Sequence, residues 1–308
     1  MIVKEKLDIQ NQIDHLEKLG IKFDICTKDK AINFLESNNY LFKIKSYAKN
    51  YDRDAKSNKY INLDFAYLIE LSTLDMYLRR IVLNIGLNIE HLLKVELNTH
   101  LSQNQQEDGY SVVEDFLTAN SRINNEIKNK IEQKSFVQKL TLKNINNMPY
   151  WILIEILEFG NFLTFYKFYF DKHHNQTYLA YHALAYCVKF LRNGAAHNNC
   201  ILNTLRIPCI NGFKPNKYIQ TEIAKIKTIS SSTRNKILND PTLHDILALI
   251  VLFTKICNSK NMKKATLIEI NNFINRCKKH KNYFNDNNLL VSKFNNMRKI
   301  IFGLKYFK

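Results

Sequence analysis

The chain has few of the residues that turn a polypeptide sharply, with 7 glycines and 4 prolines among 308 residues. All-β folds with many tight turns use both residue types often, so this scarcity argues against such folds. Hydrophobic residues make up 45% of the chain, which is enough for a substantial core and argues against general disorder. The composition therefore favours a folded protein built from long elements.

The 6 cysteines form no C-x-x-C pair. Their spacing suits neither a zinc site nor a compact disulfide framework, so we expect reduced thiols and no bound metal. The N-terminus lacks the apolar segment of a secretory signal, and the longest apolar run, Ile246–Thr254, is too short to cross a bilayer. These absences predict a cytoplasmic protein with no membrane partner.

Acidic residues are also scarce relative to basic ones. The chain has 28 Asp and Glu residues and 45 Lys and Arg residues, which gives a net charge of +17. A positive field of this size favours polyanionic partners such as nucleic acid. A general bias of the genome towards Lys and Asn codons gives the same composition, and the charge count alone does not separate the two explanations.

Apolar residues recur every three to four positions through most of the chain, which predicts an all-α fold. Helices are expected at 8–48 (two short ones, the first closed by Gly20), 62–101, 111–145, 149–171, 176–199 and 241–258. Residues 204–240 predict a loop or insertion, and short alternating patterns near 41–45 and 205–210 allow a small hairpin at most.

The predicted organisation follows the order of the chain. Residues 1–60 form a helical, aromatic and basic extension, 61–203 form a helical core, and 204–308 hold the insertion, a closing helix and a basic C-terminal segment. The helix at 176–199 is expected to form its apolar surface from Leu179, His182, Ala183, Tyr186, Val188, Phe190 and Leu191.

The best candidate for chemistry is the sequence Arg192-Asn193-Gly194-Ala195-Ala196-His197. Asn193 and His197 are four residues apart and share a helix face, whereas Arg192 and His197 differ by about 140° around an ideal helix. The three small residues between them leave room for a large ligand to approach the backbone.

These side chains suit the cleavage of RNA by its own 2′-hydroxyl. A guanidinium binds a phosphodiester and stabilises added charge, and an imidazole gives or takes a proton near neutral pH. Asn193 orients the imidazole or binds a phosphate oxygen. The substrate supplies the nucleophile, so no metal and no small-molecule cofactor is required.

Other polar clusters carry weaker signals. Asp75, Arg79 and Arg80 interrupt the apolar stripe of the long helix, with Glu90 and His91 further on; an exposed salt-bridged face is favoured over an RNA groove. The candidates for RNA contact are Arg79, Arg80, Lys189, Asn198, Lys278 and Lys279. The aromatic stripe with Trp151 and Gly160 predicts core, and His173-His174 a polar loop.

Four blocks of the chain resemble the Abi-like proteins of the AbiD/AbiF group, abortive-infection factors of the HEPN superfamily. They are LESNNYLFKIKSYAKNY (35–51), FAYLIELSTLDMYLRRIVLNIGLNIEHLL (65–93), MPYWILIEILEFGNFLTFY (148–166) and FLRNGAAHNNCILN (190–203). The resemblance runs from about Ile9 to about residue 260. The family's R-N-x-x-A-H signature falls on Arg192, Asn193, Ala196 and His197, and Asn198 stands where many relatives carry a second histidine.

The resemblance implies a HEPN-like helical bundle, RNA cleavage during phage infection, a homodimer that brings two motifs together, and a structured noncoding RNA as partner. Two other functions remain open at this stage. A non-catalytic protein that sequesters a structured RNA would have the same charge. A DNA-binding regulator is the weaker alternative, because the sequence carries no helix-turn-helix signature.

Overall fold

The computed structural model describes residues 6–132, 135–205 and 213–304. Fifteen α-helices lie in these residues: α1 (Ile9–Lys18), α2 (Lys28–Ser37), α3 (Leu41–Tyr47), α4 (Phe65–Gln103), α5 (Ser111–Ala119), α6 (Ser121–Glu132), α7 (Gln138–Asn144), α8 (Tyr150–Ile156), α9 (Phe159–Lys172), α10 (Gln176–Ala196), α11 (Lys217–Ala224), α12 (Ser231–Leu238), α13 (Pro241–Ile256), α14 (Lys260–Lys278) and α15 (Asn288–Gly303). The predicted all-α class is confirmed.

The first helices begin and end at signals that the sequence carries. The side chain of Asp8 accepts a hydrogen bond from the Asn11 amide at the start of α1. Gly20 follows α1 with a φ of +86°, and a Cβ there would lie 2.8 Å from the Cβ of Lys59, so glycine is required.

Two expectations about irregular structure were wrong. Residues 41–45, where a small hairpin was possible, are part of helix α3, with Ile44 and Tyr47 buried at helical spacing. The other candidate for a hairpin, 205–210, lies almost wholly outside the described residues. The expected loop at 204–240 contains α11 and α12. Asn216 and Ser230 cap these helices through their side chains, a signal that the loop assignment overlooked.

The helices form two compact units. The first unit comprises 1–83, 191–247 and 259–308, and the second comprises 84–190 and 248–258. Because α4, α10 and α13 each contribute residues to both, unit boundaries fall inside helices. The predicted division into the consecutive segments 1–60, 61–203 and 204–308 describes the order of elements along the chain, and it stays a prediction.

The basic C-terminal segment is an integral part of the first unit. Helix α15 buries Leu290, Met297 and Ile300. Arg276 at the end of α14 binds both carboxylate oxygens of the buried Glu70, a bidentate geometry that holds this segment to α4. Lys278 and Lys279 are exposed beside this contact.

The second unit has an aromatic core. Helix α9 buries the larger part of its surface, including Phe162, Phe165, Tyr166, Tyr169 and Phe170, so the stripe is core as predicted. Trp151 is an exception, because 44% of its surface is exposed. The break in this region lies at Leu157–Glu158, and Gly160 is already inside α9.

Histidines at the end of α9 lie in a polar turn, as predicted. His173 caps the helix, and its Nε2 lies 2.8 Å from a carboxylate oxygen of Glu107.

Within the described ranges, no single helix combines the length and apolar composition that a membrane span needs; α12 and α13 meet that test only as a pair bent by 99°.

One buried carboxyl in the second unit predicts a pH-dependent stability. Tyr166 Oη donates a hydrogen bond of 3.0 Å to Glu96. Burial raises the pKa of Glu96 to about 7, and the tyrosine hydrogen bond only partly opposes this shift. Between the ordinary carboxyl pKa and about 7, the folded chain therefore holds a proton that the unfolded chain releases.

We expect the free energy of unfolding to be highest at low pH within this window and to fall as the pH rises through about 7. The change attributable to Glu96 is on the order of 1–3 kcal/mol. Glu96→Gln should remove this component. Urea unfolding at pH 5.5 and pH 8 measures it, with the exposed Glu155→Gln as control. Equal pH dependence in wild type and Glu96→Gln would contradict the assignment.

Candidate active site at the end of helix α10

The end of α10 has a well-defined cap. The Asn198 amide donates to the Ala195 carbonyl at 3.1 Å, and the Asn199 amide donates to the Gly194 carbonyl at 2.8 Å. Asn198 has a φ of +58°, so the two bonds form a Schellman motif with asparagine in the left-handed position. His197 is the last residue before this turn. Its backbone is therefore held in one place although its side chain is exposed.

Asn193 is hydrogen-bonded to both other polar residues of the motif, through different atoms. Its side-chain oxygen accepts a hydrogen bond of 3.1 Å from Arg192 Nη1, and its carbonyl accepts the His197 amide at 2.9 Å. The side chain of Asn193 thus orients the guanidinium. Its expected role in orienting the imidazole or binding a phosphate oxygen stays a prediction. Arg192 and Asn193 are partly exposed, and a Cβ on Gly194 would meet open space, so a ligand can reach this surface.

A buried carboxylate lies behind the helix end. Asp75 has no exposed surface, and it pairs with Arg79 one turn further along α4. Tyr47 Oη and the Leu202 amide each donate to Asp75 at 2.8 Å. A buried charge is tolerated only when it is paired and hydrogen-bonded, and these three donors meet that need.

Two cations hold the turn that follows His197. Lys43 Nζ donates to the Asn198 carbonyl at 2.9 Å, and Arg79 Nη1 lies 3.5 Å from the Asn199 carbonyl. Both cations belong to buried residues of the first unit. Together they bind the first two carbonyls beyond the candidate histidine.

Asn50 fixes the next residues of the same segment. Its Nδ2 donates to the Leu202 carbonyl at 2.7 Å, and its Oδ1 accepts the Leu205 amide at 3.0 Å. The segment from Asn198 to Leu205 is therefore fastened along its length by residues from 43 to 50 and by α4. We call Lys43, Tyr47, Asn50, Asp75 and Arg79 the clamp.

Burial dominates the electrostatics of the clamp. It raises the pKa of the Asp75 carboxyl, which the Arg79 charge and the hydrogen bonds oppose. Burial, and secondly the Asp75 charge, raise the pKa of Tyr47, so this phenol stays a hydrogen-bond donor. Burial, and then the nearby Arg79, lower the pKa of Lys43.

The expected exposed face on α4 was wrong at Asp75 and Arg79, since both residues are buried. The guanidinium of Arg79 is directed at Asp75 and a backbone carbonyl, which favours a positioning role over RNA contact for this residue. Arg80 is exposed, with its guanidinium 5.9 Å from the ring of Tyr77. The RNA-contact role of Arg80 stays a prediction.

The remaining candidates are dispersed. Lys278 and Lys279 are exposed at the end of α14, and Asn198 is exposed in the capping turn. In the second unit, Lys189 lies over the rings of two aromatic neighbours on α10. Further along α4, Glu90 pairs with Lys94 at 3.6 Å, but both side chains are largely covered. Of the expected exposed face, His91 is exposed.

Sequence reasoning missed most of the clamp. The segment containing Lys43, Tyr47 and Asn50 received no role in the site and a small hairpin at most, although it belongs to one of the four blocks that resemble the family. The available signal was the interruption of the apolar stripe by Asp75 and Arg79, because ionic residues on the inward face of a helix need buried partners.

A comparison with protein-family models identifies the family of this chain. The model of the Abi-like proteins matches residues 33–203, which is more than half of the chain. The match includes the clamp and the end of α10, although it is shorter than the predicted resemblance from Ile9 to about residue 260. This chain belongs to the Abi-like protein family, which associates it with abortive-infection defence. No curated protein and no solved structure matches it.

We expect the clamp to be a major source of stability for the first unit. Asp75→Asn leaves the Arg79 guanidinium buried without its counter-charge and should cost about 3–5 kcal/mol. Tyr47→Phe removes one hydrogen bond to a charged group and should cost about 1.5–3 kcal/mol. Chemical denaturation followed by circular dichroism measures both values.

The matched control for the clamp is an exposed ion pair. Arg122 and Glu126 form such a pair on α6, and Arg122→Met should change the free energy of unfolding by less than about 1 kcal/mol. If Asp75→Asn were no more destabilising than Arg122→Met, the clamp would not have the role assigned to it.

Proposed function

We propose that the chain is a metal-independent endoribonuclease of the HEPN type that acts as an RNA-cleaving toxin in abortive infection. The observation that carries this proposal is the geometry at the end of α10. An exposed His197 follows a fixed helix end, and Asn193 hydrogen-bonds both the Arg192 side chain and the His197 backbone. A site made for chemistry needs reactive groups that are accessible and held in place.

Each side chain has a distinct role in the proposed reaction. Arg192 binds a phosphate oxygen and stabilises the charge that develops on the phosphorus. His197 acts as general base for the 2′-hydroxyl or as general acid for the leaving 5′-oxygen. Asn193 keeps the guanidinium oriented. The products carry a 2′,3′-cyclic phosphate and a 5′-hydroxyl, because the nucleophile belongs to the RNA itself.

The proposed partners are RNA molecules. The net charge of +17 supports binding to a polyanion, and the chain's family suggests a structured noncoding RNA in addition to the substrate. The reaction draws its positive charge from Arg192, so it needs no metal and no small-molecule cofactor.

We expect the purified protein to cleave RNA in the presence of EDTA. His197→Ala should lower the cleavage rate by roughly 100-fold or more, since it removes the general acid or base. His91→Ala, which removes another exposed histidine, should leave the rate unchanged. A denaturing gel of RNA from expressing cells and of a purified substrate measures cleavage, and end analysis identifies the cyclic phosphate.

Two outcomes would overturn this mechanism. Activity that EDTA abolishes and Mg²⁺ restores would show that a metal performs the chemistry. Tight binding of RNA without cleavage, unchanged by His197→Ala, would favour the alternative function of a non-catalytic protein that sequesters a structured RNA.

The working unit that we propose is a homodimer. Phosphoryl transfer needs groups on both sides of the phosphorus, and a single chain contributes one Arg192 and one His197 in this motif. A two-fold axis near the end of α10 would place two copies of the motif around one phosphate. The bound phosphate then offsets the repulsion between the two arginines.

Mixing two inactive variants tests whether the site is shared. If Arg192 and His197 from different chains act on one phosphate, combining Arg192→Ala with His197→Ala should restore about a quarter of the wild-type rate. About half of the dimers are then mixed, and each keeps one intact pair. Single-turnover cleavage after mixing measures this. A preparation that cleaves RNA but sediments only as monomer would refute the dimer.

A further inference from the structure

The second unit exposes two aromatic rings that the sequence had placed on an apolar helix surface. Tyr186 is 48% exposed and Phe190 is 56% exposed, one turn apart on α10. The buried face of this part of the helix is formed by Val188, as expected, together with Leu184 and Ala185. Two adjacent exposed rings beside a charged side chain form a surface patch of the kind that marks a binding site.

The two rings form a corner around a cation. Their centroids are 5.0 Å apart and their planes differ by 86°. Lys189 Nζ lies 4.1 Å from the centroid of Tyr186 and 4.5 Å from the centroid of Phe190. The ammonium group is thus held beside both rings, at the surface.

Helix α9 supports the lysine from below. A Cβ on Gly160 would lie 3.5 Å from Lys189 Cδ, so the lysine stem runs over the backbone of α9 at this small residue. Burial, and secondly the charge of Lys167, lower the pKa of the adjacent His182 to about 4, and Lys189 adds to this effect. Asp171, which pairs with Lys167, opposes the shift, so the cation that lies against the rings is Lys189.

We propose that Tyr186, Lys189 and Phe190 form a stacking platform for the unpaired bases of single-stranded RNA. A base stacks on an exposed ring while the ammonium binds a neighbouring phosphate. The proposal deepens the proposed function, on which it rests, by naming the substrate class as RNA with unpaired bases. Paired bases are stacked on each other and offer no free face to a ring.

A second copy of the chain fits this surface less well than RNA does. A two-fold contact through the platform would bring Lys189 of both copies together, and like charges across an interface oppose association. A polyanion meets the same lysine with favourable charge. The combination of aromatic faces and a cation is the chemistry that recognises single strands without sequence preference.

The test compares single-stranded with duplex RNA in the full chain. All proteins carry His197→Ala so that the probe stays intact. The probe is a fluorescent, unstructured RNA of about a dozen nucleotides, alone or annealed to its complement, and anisotropy gives the dissociation constant. Phe190→Leu keeps an apolar side chain but removes the ring. It should weaken single-strand binding by roughly 5- to 100-fold and duplex binding by about twofold at most.

Two controls define the effect. Phe190→Tyr restores a ring and should bind the single strand as tightly as the parent protein. Phe136→Leu makes the same substitution at a fully exposed ring elsewhere in the second unit and should change nothing. Thermal unfolding midpoints verify that all variants are folded.

The platform is overturned if Phe190→Leu leaves single-strand binding unchanged or weakens both probes equally. It is also overturned if Phe190→Leu converts a dimer into monomers during sedimentation, because the occupant would then be a second copy. Cleavage is measured separately with His197 intact. If that protein cuts no RNA while the difference between probes persists, the proposed nuclease fails and the platform stands.

Discussion

The buried carboxylate of Asp75 is the constraint on which the candidate site depends. Removing a charge from water is expensive, and the fold must supply donors wherever that charge is placed. Tyr47, Arg79 and the Leu202 amide are those donors, and they come from three separate parts of the chain. Satisfying one anion therefore brings together the N-terminal helices, the long helix and the segment after α10.

This arrangement explains how an exposed histidine can be well positioned. The Schellman cap holds the end of α10 locally, and contacts from distant residues add to it at a place where helices commonly fray. Here the turn after His197 is bound through its carbonyls by Lys43 and Arg79, and the residues beyond it are bound by Asn50. The mobile part of the site is thus limited to the side chains that would meet the substrate.

Features set by neighbouring residues could be predicted from the sequence, whereas features set by distant ones could not. The helical class, the Gly20 cap and the Arg192–His197 motif follow from spacing along a few turns. Tyr47 meets Asp75 across 28 residues and Asn50 meets Leu202 across 152, and no periodicity reports such pairs. The expectation that Tyr186 and Phe190 pack on an apolar surface was wrong for a related reason. Hydrophobicity identifies the apolar face of a helix, but it does not show whether another element covers that face.

The positions of Lys43 and Arg79 also alter the electrostatic potential at the end of α10. A helix C-terminus carries a partial negative charge of about half a unit, which would repel a phosphate. Anion sites are accordingly more common at helix N-termini. Lys43 and Arg79 bind the carbonyls that follow His197, and the Asp75 carboxylate cancels one of their two charges. The net charge of +1 that remains is still larger than the opposing partial charge of the dipole, so this helix end becomes one that attracts anions.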